Sequence, residues 1–347
     1  MDGISFSPID TADRFRMEQL ETLLAGTGIR RDKGLDYIAG AYDKDFNLLA
    51  TGACLANTLR CLAVDASRQG EGLMASMVSH LVDHQISRGN THLFLYTHRD
   101  KAPIFANLGF YEIAGVSGEA SFMENRRSGF ADYLQKLASF RREGANAALV
   151  MNCNPFTLGH RYLLERAAAE NDTVHLFVVS EDVSFIPFAD RYRLVKEGCA
   201  DLPNVILHQT GSYMISGAVF PAYFLEDEDA AIDVQARLDL QLFGRIADAL
   251  GVTRRYVGEE PYSRVTGMYN RIMAEQLPAQ GLECVIIPRL EVGGLPVSAS
   301  RVRQLIHDGY FDAIRELTTP VVFGYFSTEA GKAASQRIRE AADVKHY

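Results

Sequence analysis

Val150-Met151-Asn152-Cys153-Asn154-Pro155-Phe156-Thr157-Leu158-Gly159-His160 is the stretch on which the reading of this chain turns. Ahead of it, Ala147-Ala148-Leu149-Val150 is an apolar run that predicts a short buried strand. Behind it, Arg161 to Ala169 consists of good helix formers with apolar positions at helical spacing. Strand, tight turn and helix in that order predict Thr157 and His160 at the mouth of a parallel sheet. There the N-terminal N–H groups of the helix and the positive end of its dipole can hold a phosphate. Gly159 lets the backbone come close to such a group, and Pro155 stiffens the turn.

Working outward on the C-terminal side, Thr173 to Val179 is a fully apolar strand of the parallel-sheet kind. A loop at 180–188 follows, predicted to expose two aromatics, then a helix from Ala189 to Ala200 and a third strand, Asn204 to His208. Alternating strand–helix units predict an open, doubly wound sheet whose ligands bind beyond the strand C-termini. Tyr213 to Phe224 is rich in aromatic and small residues and reads either as core plus a hydrophobic loop or as the wall of a small acceptor pocket. The acidic run Glu226 to Asp229 is expected as a solvated loop, Leu238 to Leu250 as a helix, and Cys284 to Arg289 as the last core strand. Pro296-Val297-Ser298-Ala299-Ser300-Arg301-Val302-Arg303 places two hydroxyls and an arginine fork at a helix start, a second arrangement suited to phosphates.

On the N-terminal side, residues 1–143 alternate strands and helices. Tyr37 to Tyr42 and Leu48 to Ala53 read as a hairpin, and Cys61 to Asp65 as a strand. Gln69-Gly70-Glu71-Gly72 then opens a helix to about Ser87 with Leu73, Met77, Leu81 and His84 on one face. His80, His84, His92 and His98 lack metal-ligand spacing and are expected to be structural. Phe130 to Phe140, flanked by arginine pairs, reads as a linker helix. Two domains follow, 1–143 and 144–347.

The chain of 347 residues is long enough for two cores, with 47% hydrophobic and 23% charged residues. A net charge of −9 without any basic run argues against nucleic-acid binding. Five cysteines without CxxC spacing are those of a reduced, cytoplasmic protein. Neither an export signal nor a membrane span is expected. Cys153 is expected as a small packed residue, since nothing near it in the sequence would lower its pKa. No Walker A pattern is present.

Thr157-Leu158-Gly159-His160 resembles the (His/Thr)-x-Gly-His signature of the nucleotidyltransferase superfamily, and Val297-Ser298-Ala299-Ser300-Arg301-Val302-Arg303 resembles its Ile-Ser-x-(Ser/Thr)-x-x-Arg motif. The resemblance implies that His160 donates to a triphosphate and stabilises charge building on the α-phosphate. It implies a nucleotide site of Asn154, Phe156, Thr157, Gly159, His160, Ser298, Ser300 and Arg303, with Gly258 and Glu259 beside base and ribose. Residues 1–143 resemble the Gcn5-related N-acetyltransferase fold, with Gln69, Gly70 and Gly72 as a pantetheine- or coenzyme-A-binding loop and Met74 where that loop has glycine or alanine. The expected fold is therefore α/β: an acetyltransferase-like mixed sheet followed by a doubly wound, Rossmann-like nucleotidyltransferase domain.

Nearly the whole chain, including Asp190 to Lys196 and Phe220 to Phe224, is similar to the citrate lyase ligase family. That likeness implies ATP-dependent acetylation, through acetyl adenylate, of the thiol prosthetic group on the citrate lyase acyl-carrier subunit. Acetate would be the acyl donor, AMP and pyrophosphate the products, and Mg²⁺ the metal, with no ligand residue assigned. His160, Arg303 and Lys196 are the candidate catalytic groups for neutralising phosphate charge. The motifs alone leave open an adenylyltransferase acting on a phosphorylated acceptor such as phosphopantetheine, and an N-acetyltransferase with a degenerate nucleotide-binding module.

Overall fold

A computed structural model describes residues 3–181, 184–214, 220–225, 228–260 and 263–344. The chain divides into two compact units. One comprises residues 1–132 with 220–238, the other 133–219 with 239–347. Residues 220–238 thus join the first unit although they follow the first half of the second.

The first unit contains β1 (Ser5–Pro8), α1 (Arg14–Gly26), β2 (Tyr37–Tyr42), β3 (Leu48–Leu55), β4 (Thr58–Val64), α2 (Leu73–Ser87), β5 (Phe94–His98), α3 (Ala102–Ala106), β6 (Tyr111–Val116) and β7 (Ala120–Glu124). Its seven strands run in the order β1-β2-β3-β4-β5-β7-β6. Every pairing is antiparallel except β4 with β5, which are parallel and matched at only two positions, Thr58 with Phe94 and Leu59 with Leu95. Leu20, Leu23 and Leu24 of α1 pack on one face with Ile38, Ala53, Cys61 and Tyr223. Leu73, Met77 and Leu81 of α2 pack on the other. Burying each of these leucines stabilises the unit by about 1.5–3 kcal/mol. This is the acetyltransferase-like mixed sheet. Gly70 and Gly72 have positive φ (86° and 81°) and Gln69 is exposed, so the loop before α2 forms as expected. Met74 packs against the α2-face core. The histidines contact neighbours within the fold: His80 meets the Tyr37 hydroxyl at 2.8 Å, His84 stacks on the Tyr37 ring, and His92 pairs with the buried Glu124 at 2.6 Å. Among the described residues no group of three His, Cys, Asp or Glu side chains could hold a metal ion.

Then come α4 (Gly129–Ala138), β8 (Asn146–Met151), α5 (Leu158–Glu170), β9 (Thr173–Val178), α6 (Phe188–Gly198), β10 (Val205–Gln209) and α7 (Glu228–Leu250). After these follow β11 (Val252–Gly258), α8 (Arg264–Gln276), β12 (Glu283–Ile287), β13 (Glu291–Val292), β14 (Leu295–Pro296), α9 (Ala299–His307), α10 (Pro320–Tyr325) and α11 (Glu329–Glu340). The second unit is built on a five-stranded sheet, β10-β9-β8-β11-β12, with every pair parallel. Alternate residues of β11 serve opposite faces. Tyr256 donates to Glu170 at the end of α5, while Arg255 lies over the Phe243 ring of α7, 4.1 Å from its centroid. Helices therefore cover both faces, as in a doubly wound sheet. Strand order runs outward from β8 through β9 to β10 and in the other direction from β11 to β12. The loops after β8 and β11 part at this switch point and leave a crevice at the strand C-termini.

Two expectations change. Phe185 is buried and Phe188 half-buried, because the loop after β9 folds into the core behind Ile186 instead of presenting aromatics to solvent. α7 starts at Glu228, about ten residues before the predicted Leu238. Residues 226–227 of the acidic run, 215–219 of the aromatic-rich segment, and Pro261 and Tyr262 lie outside the described residues. No helix among the described residues is long and apolar enough to cross a membrane.

Candidate active site

The site begins where β8 ends. Ala147, Leu149 and Met151 enter the core, and the chain turns through Cys153 (φ 55°) and a cis Asn154–Pro155 bond. Cys153 is 1% exposed and its thiol is pushed well up by burial, so it packs below the loop as a neutral side chain. Phe156 is fully buried, and its ring lies 6.0 Å from that of His160 at an interplanar angle of 16°. The phenyl ring thus backs the imidazole.

Thr157 caps α5, and the cap is reciprocal. Its hydroxyl accepts from the His160 N–H at 3.4 Å, while its own backbone N–H donates to His160 Nδ1 at 3.1 Å. An Nδ1 that accepts carries no proton, so the neutral ring has its hydrogen on Nε2. Nε2 has no partner among the described residues. Burial, then Arg289, then Arg303 pull the pKa of His160 down to about 4. At neutral pH the residue is an uncharged donor held in one tautomer.

The second motif meets the first here. A Cβ on Gly159 would come within 2.5 Å of the Val297 carbonyl oxygen, so the first turn of α5 lies against the residue preceding the α9 cap. Ser298 caps α9, accepting from the Arg301 N–H at 3.1 Å. Two helix N-termini therefore lie side by side, and the N–H groups of Gly159 and Ala299 precede the first intrahelical bonds of α5 and α9. Arg303 is 2% exposed and fastens the two motifs together. Its Nη1 donates to the Asn154 carbonyl at 2.6 Å, Nε to Val344 O at 2.7 Å, and Nη2 to Ser300 Oγ at 3.3 Å. Burial lowers its pKa to about 10, which leaves it charged at pH 7.

Gly258 ends β11, and its carbonyl accepts from Asn270 at 2.9 Å. Exposed Glu259 donates its N–H to Ile287 O at 2.8 Å. These residues border the crevice from the β11 side. Lys196 stands apart. It is exposed in the last turn of α6, beside a hollow lined by Tyr192, Cys199, Leu202 and Val205, and its ammonium forms no ion pair or hydrogen bond among the described residues.

Sequence reasoning missed Arg191 and Arg289. Arg191 is fully buried and donates to the carbonyls of Asn152, Val179, Glu181 and Ile186 at 2.6–3.0 Å, tying the ends of β8 and β9 to the loop after β9. Arg191 lies within the Asp190–Lys196 stretch singled out above, where it was read only as part of a helix, and Arg289 lies in no motif; its place just after a strand was the one signal for it.

The residues fit an anionic nucleotide. Asn154 is 2% exposed; its Oδ1 accepts from Ile186 N at 3.2 Å, while its Nδ2 is buried with no partner. An unpaired buried donor costs about 1–3 kcal/mol, and an acceptor supplied by a ligand would relieve that cost.

The family model for the citrate lyase ligase C-terminal domain matches residues 146–326. A citrate (pro-3S)-lyase ligase from Klebsiella pneumoniae is 42% identical over 279 residues, covering 79% of this chain and 82% of that one. Another, from Escherichia coli strain K12, is 36% identical over 327 residues, covering 92% and 93%. The crystal structure of the Escherichia coli ribosomal-protein-S18-alanine N-acetyltransferase aligns with 35% of this chain and 92% of its own, at 19% identity and a TM-score of 0.28. With both motifs inside the matched region and relatives aligned along most of their length, this chain belongs to the citrate lyase ligase family.

Proposed function

We propose that this protein is an ATP-dependent acid–thiol ligase. It would join acetate to the thiol prosthetic group of the citrate lyase acyl-carrier subunit by way of acetyl adenylate. The reading is supported by family membership and above all by one observation: Gly159 pressed against Val297 sets two helix N-termini and the His160 donor around one crevice.

In the first step an acetate oxygen forms a bond to the α-phosphorus of ATP, and the bond to pyrophosphate breaks. In the second, a thiolate attacks the acetyl carbon and AMP leaves. His160 Nε2–H donates to the phosphate oxygen on which charge develops. Because the ring is neutral and already locked, the donation needs no reorganisation at the moment of reaction. Gly159, by admitting the Val297 carbonyl, keeps the two helix N-termini together so that the N–H groups of both starts can receive the phosphates. Ser298 and Ser300 supply hydroxyls at the α9 start, and buried Arg303 contributes its charge through the low-dielectric interior while holding Asn154 in place. Mg²⁺, when bound with the nucleotide, would supply further neutralisation, with phosphates and water as its natural ligands. In this reading Gln69, Gly70 and Gly72 receive the pantetheine-like arm of the carrier. Lys196, exposed on α6, has the weakest structural support among the catalytic candidates.

Acetate-dependent exchange of labelled pyrophosphate into ATP tests the reading with the full chain. Exchange with acetate alone is the expected result. Exchange that requires a phosphorylated acceptor such as phosphopantetheine would point to an adenylyltransferase. No exchange, together with acetyl transfer from acetyl-CoA to an amine, would point to the acetyltransferase alternative.

A further inference from the structure

Arg289 follows the end of β12, on the same C-terminal side of the sheet as the motif loop. Its guanidinium is held by the β11 loop. Nε donates to the Glu259 carbonyl at 2.7 Å, and Nη2 donates to Glu260 Oε2. The other oxygen of Glu260 accepts from the Ser263 N–H at 3.1 Å, so the carboxylate that positions the arginine is itself fixed. Nη1 has no hydrogen bond among the described residues and is not among the sealed polar atoms, and the side chain is 23% exposed. A guanidinium offers five donors in a planar fork, and here two of its three nitrogens are pinned while the third stays open.

We propose that Arg289 is a substrate-binding cation of the adenylation site, its open Nη1 donating to a phosphate oxygen of the bound nucleoside triphosphate beside His160. The inference rests on the adenylation reading above. Glu260, itself fixed by the Ser263 N–H, sets the direction in which the Arg289 fork points. β8 and β12 flank β11 and run parallel to it, so the motif loop carrying His160 and the strand end carrying Arg289 leave the sheet on one edge, on either side of the β11 loop that pins the guanidinium. The lowering of the His160 pKa by Arg289 and Arg303 agrees with that placement. An arginine whose open Nη1 is aimed before the substrate arrives suits a group whose charge shifts during transfer.

The test uses the full chain, R289M and R289K, with acetate-dependent pyrophosphate–ATP exchange as one readout and NMR titration of the His160 ring as the other. R289M is expected to lower kcat/KM for ATP about a hundredfold, leave the KM for acetate within about twofold, and move the His160 midpoint upward. R289K, which retains the charge without the fork, is expected to recover about tenfold of the loss. If R289M does not fold, R289K decides alone: a loss of about tenfold supports the assignment, and a wild-type rate overturns it. Wild-type exchange with R289M within about threefold, or an unmoved His160 midpoint, overturns this inference only. No exchange in the wild-type chain removes the adenylation reading and this inference with it.

Discussion

At the scale of single residues, the arrangement turns on the tautomer of His160. The Thr157 N–H occupies Nδ1, and burial with two nearby arginines keeps the ring uncharged. The folded pKa of about 4 lies below the ordinary 6.5 of histidine. The neutral ring's contribution to stability is therefore complete above pH 6.5 and is lost as pH falls through about 4. An NMR titration should place the His160 midpoint below 5; a midpoint near 6.5 would refute the half-buried, neutral donor. His160→Ala should reduce acetate-dependent exchange by about 10²–10³-fold and, by removing half of the α5 cap, cost about 1 kcal/mol in stability. A rate near wild type would exclude the imidazole from the chemistry. Thr157, Gly159 and His160 were legible in the sequence because a strand, a turn and a capped helix left few places for them. Arg289 was not, since an arginine after a strand is ordinary until Glu260, 29 positions earlier, is seen to hold it. The phosphate fork expected of Arg303 meets a residue that is buried and bonded to two main-chain carbonyls. Nothing in an Arg-x-Arg spacing reveals which arginine turns inward.

Among the elements, the contact between α5 and the segment entering α9 is tighter than a side chain allows. The atom nearest a new Cβ on Gly159 would be a backbone oxygen at 2.5 Å, which cannot swing aside as a side chain could. Gly159→Ala should cost about 1–3 kcal/mol in urea unfolding, the range for overpacking a close interface. It should also reduce exchange by separating the two helix starts. An alanine variant with unchanged stability and rate would mean that the two motifs are not pressed together in solution. The parallel strands β8 and β9 were readable from unbroken apolar runs. β1, with its polar serines, and β7, Ala120–Glu124, were not, because they form only against partners distant in sequence. α7 extends beyond its apolar core through Glu228 and Asp229. An acidic residue in the first turn, here Asp229, favours a helix start, a signal that the solvated-loop reading set aside.

For the whole molecule, the least legible feature is the passage of residues 220–238 into the first unit. An aromatic-rich stretch inside a nucleotidyltransferase-like region read as core or as a pocket wall. Part of it is core, but that of the first unit. Tyr223 is 8% exposed and packs with Ile38, Ala53, Cys61 and Ala63 on the α1 face, and Phe220 meets Tyr96 edge-on at 5.4 Å. The Tyr223 carbonyl accepts from the Arg30 N–H at 2.9 Å, and Arg30 Nη2 reaches the Leu225 carbonyl at 3.0 Å, so the segment is tied by backbone as well as by rings. Hydrophobic composition marks such a segment as buried but carries no address, since any core of the right shape can receive it. The consequence can be measured. Removing the Tyr223 ring leaves a void next to β4, where the parallel pairing with β5 already stops after two residues, and should cost about 3 kcal/mol. Hydrogen exchange of Tyr223→Ala should therefore show faster exchange at the amides of β4 and α1. If those amides keep wild-type protection, the segment does not pack in the first unit, and the simple division at 143/144 returns as the description of the chain.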